Sequence, residues 1–436
     1  MINDKNPLPI LRVPGVYRRR ILDDELDELL ASLPAIALEG PKAVGKTATL
    51  LQRAETVYRL DDPGERSIVE ADSSRVVQGK LPILIDEWQR LPETFDRVRR
   101  AVDDGAASGS FLLAGSASPA DGPTHSGAGR IVRVRMRPLT LVERNVEKPT
   151  VSLRSLLDGG SPSIEGETEF GLEQYVEEIL RSGFPATFGL SGRALSAVLD
   201  GYIERIADRD FKELGRQVRR PSTLLRWMRA YAAATATTTS YEKIRNAASG
   251  DGNETPSRAS TQPYRDILER LWILDPVPSW LPTQNRFSRL SGSPKHHLAD
   301  PALAARLLDI DASTLLGAKH VEPEIPREGT LLGGLFESLV TLCVRVYAQA
   351  AEARTRHLRT WSGEHEIDLI VERGQRVLAI EVKLGHTPSD KDLRHLFWLR
   401  EVLGEKLIDS VVVTTGSVAY RRPDGIAVVP AALLGP

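Results

Sequence analysis

Short apolar runs alternate with stretches of helical spacing along the first third of the chain. Residues 35–38 are apolar, end in Glu39 and read as a buried strand. Residues 57–61, 81–86 and 111–116 read as further strands, the last two closing on acidic or small polar residues. Residues 131–136 alternate, as an edge strand does. Residues 21–30 carry apolar side chains at helical spacing, and residues 47–51 open a second helix. Strands separated by helices predict an α/β fold on a mostly parallel sheet, with ligands at the carboxyl ends of its strands.

The pattern changes beyond residue 150. Residues 159–162 mark a loop, and a helical region follows to about residue 207. Residues 222–280 read as helices interrupted by a polar insert at 248–253, then a short apolar strand at 273–277. Two helices at 241–248 and 261–272, with Thr261 as cap and Pro263 in the first turn, followed by that strand, have winged-helix spacing. Residues 291–294 read as a connection. From residue 331 a helix, paired strands, a second helix and more strands predict a separate small α/β unit. No internal repeat is visible.

Composition narrows the reading. A chain of 436 residues implies roughly two to four domains. Its 41% apolar and 27% charged content is that of a folded protein. The net charge of −2 makes the whole molecule no electrostatic magnet for nucleic acid, so any such contact needs a local patch. Cys343 stands alone, which excludes an intramolecular disulfide or a cysteine-built zinc site and suits a reducing cytoplasm. We expect a cytoplasmic protein without membrane contact. No apolar run approaches membrane-spanning length, and residues 1–20 lack a basic start followed by an apolar core.

The candidate chemistry starts at Gly40-Pro41-Lys42-Ala43-Val44-Gly45-Lys46-Thr47, which fits G-x-x-x-x-G-K-[ST] between a strand and a helix. Glycines let backbone N–H groups close around phosphates, and the helix N-terminus adds positive potential. Lys46 reaches the outer phosphates, and the Thr47 hydroxyl ligates Mg²⁺. Thr49, in the opening helix, joins the expected nucleotide-binding set. Asp86-Glu87 closes an apolar strand forty residues after Lys46. Asp86 is expected to support the metal with Thr47, and Glu87 to polarise the attacking water. Ser116, ending the next strand, reads either as a neighbour of the γ-phosphate or as a strand-end turn residue. An arginine is needed for transition-state charge. Arg130 is the first candidate, with Arg205 and Arg209 as others, and Arg18, Arg19 and Arg20 precede the first helix, where they would flank the base or ribose.

A second constellation lies near the C-terminus. Residues 367–371 and 377–383 read as a hairpin, in which Glu381 and Lys383 share one face. Asp368 lies one strand earlier, and Glu337 interrupts an apolar helix. Carboxylates on apolar elements are costly unless they are paired or bind metal. Glu337, Asp368 and Glu381 therefore read as a carboxylate cluster for a hard divalent cation, Asp368 and Glu381 as its metal ligands, with Lys383 orienting water for attack on a phosphodiester. This is the D…(D/E)-x-K pattern of restriction-endonuclease-like nucleases. The competing reading is a buried Glu381–Lys383 salt bridge with Asp368 capping a turn. Glu366 is an extra acid or a surface residue. Lys212, Arg216, Arg219, Arg220, Arg226 and Arg229, against Glu213 alone, form a basic stretch that either meets DNA or is a solvated helix face.

The chain resembles the prokaryotic AAA+-type ATPases that carry a C-terminal restriction-endonuclease-like domain. The resemblance runs through the phosphate loop, Ile85-Asp86-Glu87-Trp88-Gln89-Arg90-Leu91-Pro92, Leu113-Ala114-Gly115-Ser116, Ser182-Gly183-Phe184-Pro185, Gly334-Leu335-Phe336-Glu337, Glu366-Ile367-Asp368 and Glu381-Val382-Lys383. Lys42 and Ala114 depart from the usual Arg and Thr, and the polar insert at 249–260 is unusual. The resemblance implies an α/β P-loop ATPase core over 1–150, a helical lid or connector over 151–215 and a winged-helix region over 216–295. A linker over 296–330 and a restriction-endonuclease-like domain over 331–436 complete it. It also implies ATP and Mg²⁺ as cofactors. The expected function is ATP hydrolysis whose nucleotide state controls a metal-dependent nuclease module acting on double-stranded DNA. The alternative is a nucleotide-switched signalling or scaffold protein with an inactive nuclease-fold module, and a third reading is a DNA-binding regulator. Self-association or a protein partner fits either of the first two.

Overall fold

The structure is a computed structural model, and it describes residues 17–116, 128–216, 218, 220–249, 255–282, 292–317 and 330–436. The chain divides into two compact units. The first takes in the described residues up to Glu39, Gly45–Gly115 and those up to Arg135. The second takes in Gly40–Val44, Ser116 and the chain from Met136.

In the first unit, strands β1 (Ala35–Glu39), β2 (Thr56–Arg59), β3 (Ile83–Asp86), β4 (Phe111–Gly115) and β5 (Val132–Arg135) form one sheet in the order β2-β3-β4-β1-β5. Every pairing is parallel. The inner strands β1, β3 and β4 are buried along their whole length, as continuous apolar runs covered on both faces must be. β5 lies at the edge that its alternation predicts. Ala35, Ala37, Ile83, Ile85, Phe111 and Leu113 pack with Trp88 and with Phe95 and Val98 of the helix Glu93–Asp103. Asp62 starts the helix Pro63–Ala71 by accepting the Glu65 N–H, with proline at the first helical position.

In the second unit, β6 (Val151–Ser152) pairs in parallel with β15 (Leu434–Gly435), so this unit's first strand meets its last. Its large sheet contains β7 (Gly166–Glu167), β8 (Ser279–Trp280), β9 (Arg354–Arg359), β10 (Glu366–Arg373), β11 (Arg376–Lys383), β12 (Leu407–Thr414), β13 (Val418–Arg421) and β14 (Ala427–Pro430). The order is β7-β13-β14-β12-β11-β10-β9-β8. β10 and β11 form the expected hairpin, with Gly374 at φ 62 in the turn between them. β11, β12 and β14 run parallel. The helix Asp390–Leu403 covers one face through Leu393, Leu396 and Leu399.

Several expectations change here. The sheet expected to begin after residue 331 also recruits β7 and β8 from earlier segments. The division falls at Met136, not at residue 150. Leu139 and Leu141 are buried in the second unit, where the Leu141 N–H lies 3.5 Å from Cys343 Sγ. The strand expected over 273–277 is absent, replaced by isolated bridges from Leu274 to Leu298 and from Val277 to Lys295. The third middle helix begins at Arg258, capped by Ser257, so Thr261 lies inside it. Residues 250–254 of the polar insert and Arg219 lie outside the described residues. The helix Leu331–Ala350 is, by length and composition alone, apolar enough to cross a membrane, contrary to the expectation from the sequence. However, 72% of that apolar window is buried inside the protein, where it serves as a core helix.

Phe95 is buried against Trp88, with ring centroids 4.8 Å apart. Phe95→Ala is expected to destabilise the first unit by about 3–5 kcal/mol, read as a lower urea midpoint at unchanged slope.

Candidate functional site

The parallel register decides what the carboxyl edge of the first sheet presents. Glu39 pairs with Gly115 and Asp86 with Ala114, so the ends of β1, β3 and β4 finish side by side. The phosphate loop leaves β1 at that edge. Its turn needs Ala43 at φ 62 and Gly45 at φ 105, in the left-handed region. A Cβ on Gly40 would lie 2.3 Å from the Met136 carbonyl oxygen, so only glycine fits there. The helix Lys46–Leu50 begins directly after the turn.

Thr47 Oγ1 donates to Asp86 Oδ1 at 2.8 Å, which brings the two expected metal-side residues together. Burial pushes the Asp86 carboxyl up to about 6, and the Thr47 hydrogen bond works against that shift. A hydroxyl and a carboxylate at this spacing are the hard oxygen donors that Mg²⁺ takes. Lys46 is buried at the same edge; burial raises the pKa of Glu39, against the opposing pull of Arg133, Arg135 and Lys46. Glu87 adopts φ 54, and Gln89 Nε2 donates to its Oε2 at 2.5 Å. Ser116 follows β4 and is fully buried.

Two of the expected roles do not fit the geometry, and Lys42 has partners of its own. Thr49 is fully buried, and its hydroxyl lies 3.1 Å from the Tyr17 hydroxyl, which donates to Asp23 Oδ2 at 2.8 Å. Thr49 therefore anchors the N-terminal segment instead of facing a nucleotide. Arg130 sits just before β5, at the amino edge of a parallel sheet, and pairs with Asp103 at 2.7 Å. The phosphate loop is at the opposite, carboxyl edge, so Arg130 is misplaced for phosphate charge. The Lys42 ammonium, in the second unit, is committed to Asp210 Oδ1 and Glu213 Oε2, each at 2.6 Å. Only its backbone remains for phosphate. Tyr202 also donates to the Lys42 carbonyl at 3.2 Å, and Arg205 approaches Asp210 at 3.7 Å. Asp210 ends a π-helical turn, Ile206–Asp210. Nothing local in the sequence links position 42 to positions 202, 210 and 213.

In the second unit, Asp368 and Glu381 are buried on neighbouring strands, and Asp368 Oδ2 accepts the Val382 N–H at 2.9 Å. Lys383 Nζ donates to Glu381 Oε1 at 2.7 Å, as in the salt-bridge reading of that pair. Lys295, which sequence reasoning missed, is fully buried among the acids. Its Nζ lies 2.8 Å from Glu337 Oε1, 2.9 Å from Asp368 Oδ1 and 3.5 Å from Glu366 Oε1. Burial works against the charge on Lys295, but Asp368, Glu337 and Glu366 outweigh it and hold its pKa well above the ordinary value. Burial likewise opposes charge on Asp368, and Lys295 and Lys383 outweigh it and keep that carboxyl below its usual range. Glu337 and Glu381 are both pushed up to about 8, chiefly by burial. Among the described residues no group of three or more His, Cys, Asp or Glu side chains is placed to hold a metal ion. Of the expected metal pair, Asp368 has an internal ammonium, Lys295, beside it, and Glu381 has Lys383. The Ser182-Gly183-Phe184-Pro185 stretch is structural. The Gly183 N–H donates to buried Asp300 Oδ2 at 2.6 Å, and Asp300 Oδ1 caps the helix Pro301–Leu307.

Three family models match parts of the chain. Residues 32–145 match the model of an AAA domain, residues 172–314 a domain of unknown function (DUF8612) and residues 332–434 another (DUF4143). Uncharacterised proteins of Mycobacterium tuberculosis and Mycobacterium bovis are each 26% identical over 427 residues, which is 95% of this chain and 84% of theirs. Among solved structures, a Walker-type ATPase of Pyrococcus abyssi aligns over 67% of this chain and 96% of its own, with 15% identity and a TM-score of 0.38. The AAA-domain match spans the five-stranded parallel sheet and the glycine-rich turn.

Three substitutions separate the observed roles from those expected. Thr49→Val should leave ATP affinity within about twofold of the parent, since it removes an anchor and no phosphate contact, whereas Lys46→Ala should abolish binding in the same calorimetric titration. Arg130→Ala should leave ATP turnover within about twofold in a phosphate-release assay, because its partner is Asp103.

Proposed function

We propose that this protein binds ATP with Mg²⁺, hydrolyses it, and uses its nucleotide state to govern the C-terminal module. The observation that carries the reading is the Thr47–Asp86 hydrogen bond of 2.8 Å beneath the glycine-rich turn. Thr47 and Asp86 would hold Mg²⁺, which when bound offsets charge on the outer phosphates. Lys46 neutralises the same phosphates, and backbone N–H groups of the loop cradle them. Glu87 receives the proton of the attacking water.

Lys42 supports the coupling to the rest of the chain. The loop that would wrap phosphate through its backbone is ion-paired at Lys42 to Asp210 and Glu213, so a loop shift on phosphate binding would pull on those carboxylates. For the C-terminal module, the burial of Lys295 among Glu337, Glu366 and Asp368 favours the non-cutting alternative. The module is then a nuclease-type scaffold that engages double-stranded DNA or a protein partner without hydrolysis.

Glu87→Gln should retain ATP affinity and lower kcat by about 100-fold or more, measured by calorimetry and phosphate release. Turnover at the parent rate would remove Glu87 as the base. The parent should leave plasmid DNA intact in Mg²⁺ or Mn²⁺, with or without ATP. Nicking that Asp368→Asn abolishes would restore the cutting reading.

A further inference from the structure

Lys295 is built into the protein more firmly than a surface ion pair requires. Its backbone exchanges two hydrogen bonds with Val277, both at 2.9 Å. The residues that follow, His296 to Asp300, are all buried. The side chain is 1% exposed, in a class of residue that is almost never fully buried unless paired. An ammonium has three N–H donors and no acceptor. Here three carboxylates, from the helix Leu331–Ala350 and from two positions on β10, lie within 3.5 Å of that one nitrogen. The remaining lysine of the cluster, Lys383, is engaged by Glu381 Oε1, while Glu381 Oε2 is buried with no hydrogen-bond partner. Packing alone does not call for this arrangement, since an apolar side chain of similar volume would fill the space without bringing a charge out of water.

We propose that Lys295 is the resident cation of the C-terminal carboxylate site, and that its ammonium and a divalent metal exclude one another there. The inference rests on reading this module as a nuclease-type scaffold. The acidic oxygens stand 2.8 to 3.5 Å from the nitrogen. That is ammonium hydrogen-bond spacing, wider than the roughly 2.0–2.6 Å that Mg²⁺ or Ca²⁺ demands of its ligands. A metal in the same place would meet a like charge held within hydrogen-bond distance of its ligands. With Lys295 in place an ammonium takes the position that a water-activating metal would need. Removing the ammonium leaves Glu337 and Asp368 without their shared cation, beside Glu366, which Arg359 still holds at 2.8 Å.

The test is Mn²⁺ uptake by the full chain without nucleotide, read from loss of the free-ion electron paramagnetic resonance signal. The parent, Lys295→Met and Lys295→Gln are compared, each with and without Asp368→Asn. Lys295→Met keeps the volume of the stem, and Lys295→Gln is the second choice should Met not fold; circular dichroism reports folding. The expected result is that a folded Lys295 variant gains about one equivalent of Mn²⁺, at least about tenfold tighter than the parent, and loses it on Asp368→Asn. Folded Lys295 variants that gain no such binding would overturn the proposal, leaving a purely structural ion cluster. So would a parent that already binds Mn²⁺ through Asp368, a result that needs neither Lys295 variant to fold. ATP affinity is measured on the same samples. Its absence in the parent would sink the ATPase reading and leave the metal result standing.

Discussion

Charges taken out of water must meet opposite charges, and the architecture of this protein is organised around such meetings. Arg144 and Glu178, both buried, pair at 3.1 Å, and the Arg144 guanidinium also donates to the Leu139 and Glu178 carbonyls. Arg137 and Arg345 close on Asp275 at 2.9 and 3.0 Å. Lys295 closes on three acids, and Lys42 on two. Breaking such a pair from one side leaves an uncompensated charge and is far costlier than never having had it. These ion pairs therefore fix which segments lie together. They draw the stretch from Met136 to Asn145 into the second unit and seat residue 295 under the C-terminal sheet.

The second organising constraint is strand direction. A parallel sheet gathers the ends of its strands on one edge, and the loops that follow inherit that placement. It brings Thr47 against Asp86 although β2, its following helix and a 3₁₀ turn intervene in sequence. It also carries Arg130 to the other edge, because the residue before a parallel strand lies opposite the residue after one. The same rule thus assembles one part of the expected nucleotide site and dismantles another.

The two cationic clusters give the protein a common logic. In one, a lysine of the glycine-rich loop is held by carboxylates from a connecting segment. In the other, a lysine from an irregular segment is held by carboxylates of a sheet and a core helix. Each is a cation within reach of anions that a ligand could displace or replace, which is the kind of element a bound nucleotide or metal biases. The π-helical turn that ends in Asp210 places one such carboxylate on a backbone already out of regular register.

Much of the fold is legible in the sequence because it rests on short-range regularity. Unbroken apolar runs set β1, β3 and β4, alternation sets the edge strand β5, and Gly374 between two apolar runs sets the β10–β11 hairpin. The glycine-lysine-threonine turn and the acid at the end of β3 likewise declare the candidate nucleotide site, since both follow from residue type at fixed local offsets. The sequence leaves open whatever depends on which remote segment arrives at a given place. Lys42 meets partners 168 and 171 residues away, and Lys295 meets partners 42 and 73 residues away. Thr49 owes its role to Tyr17, 32 residues before it. No periodicity encodes those encounters. They are decided when burial removes water as a partner and leaves each charge only the neighbours that the folded chain supplies.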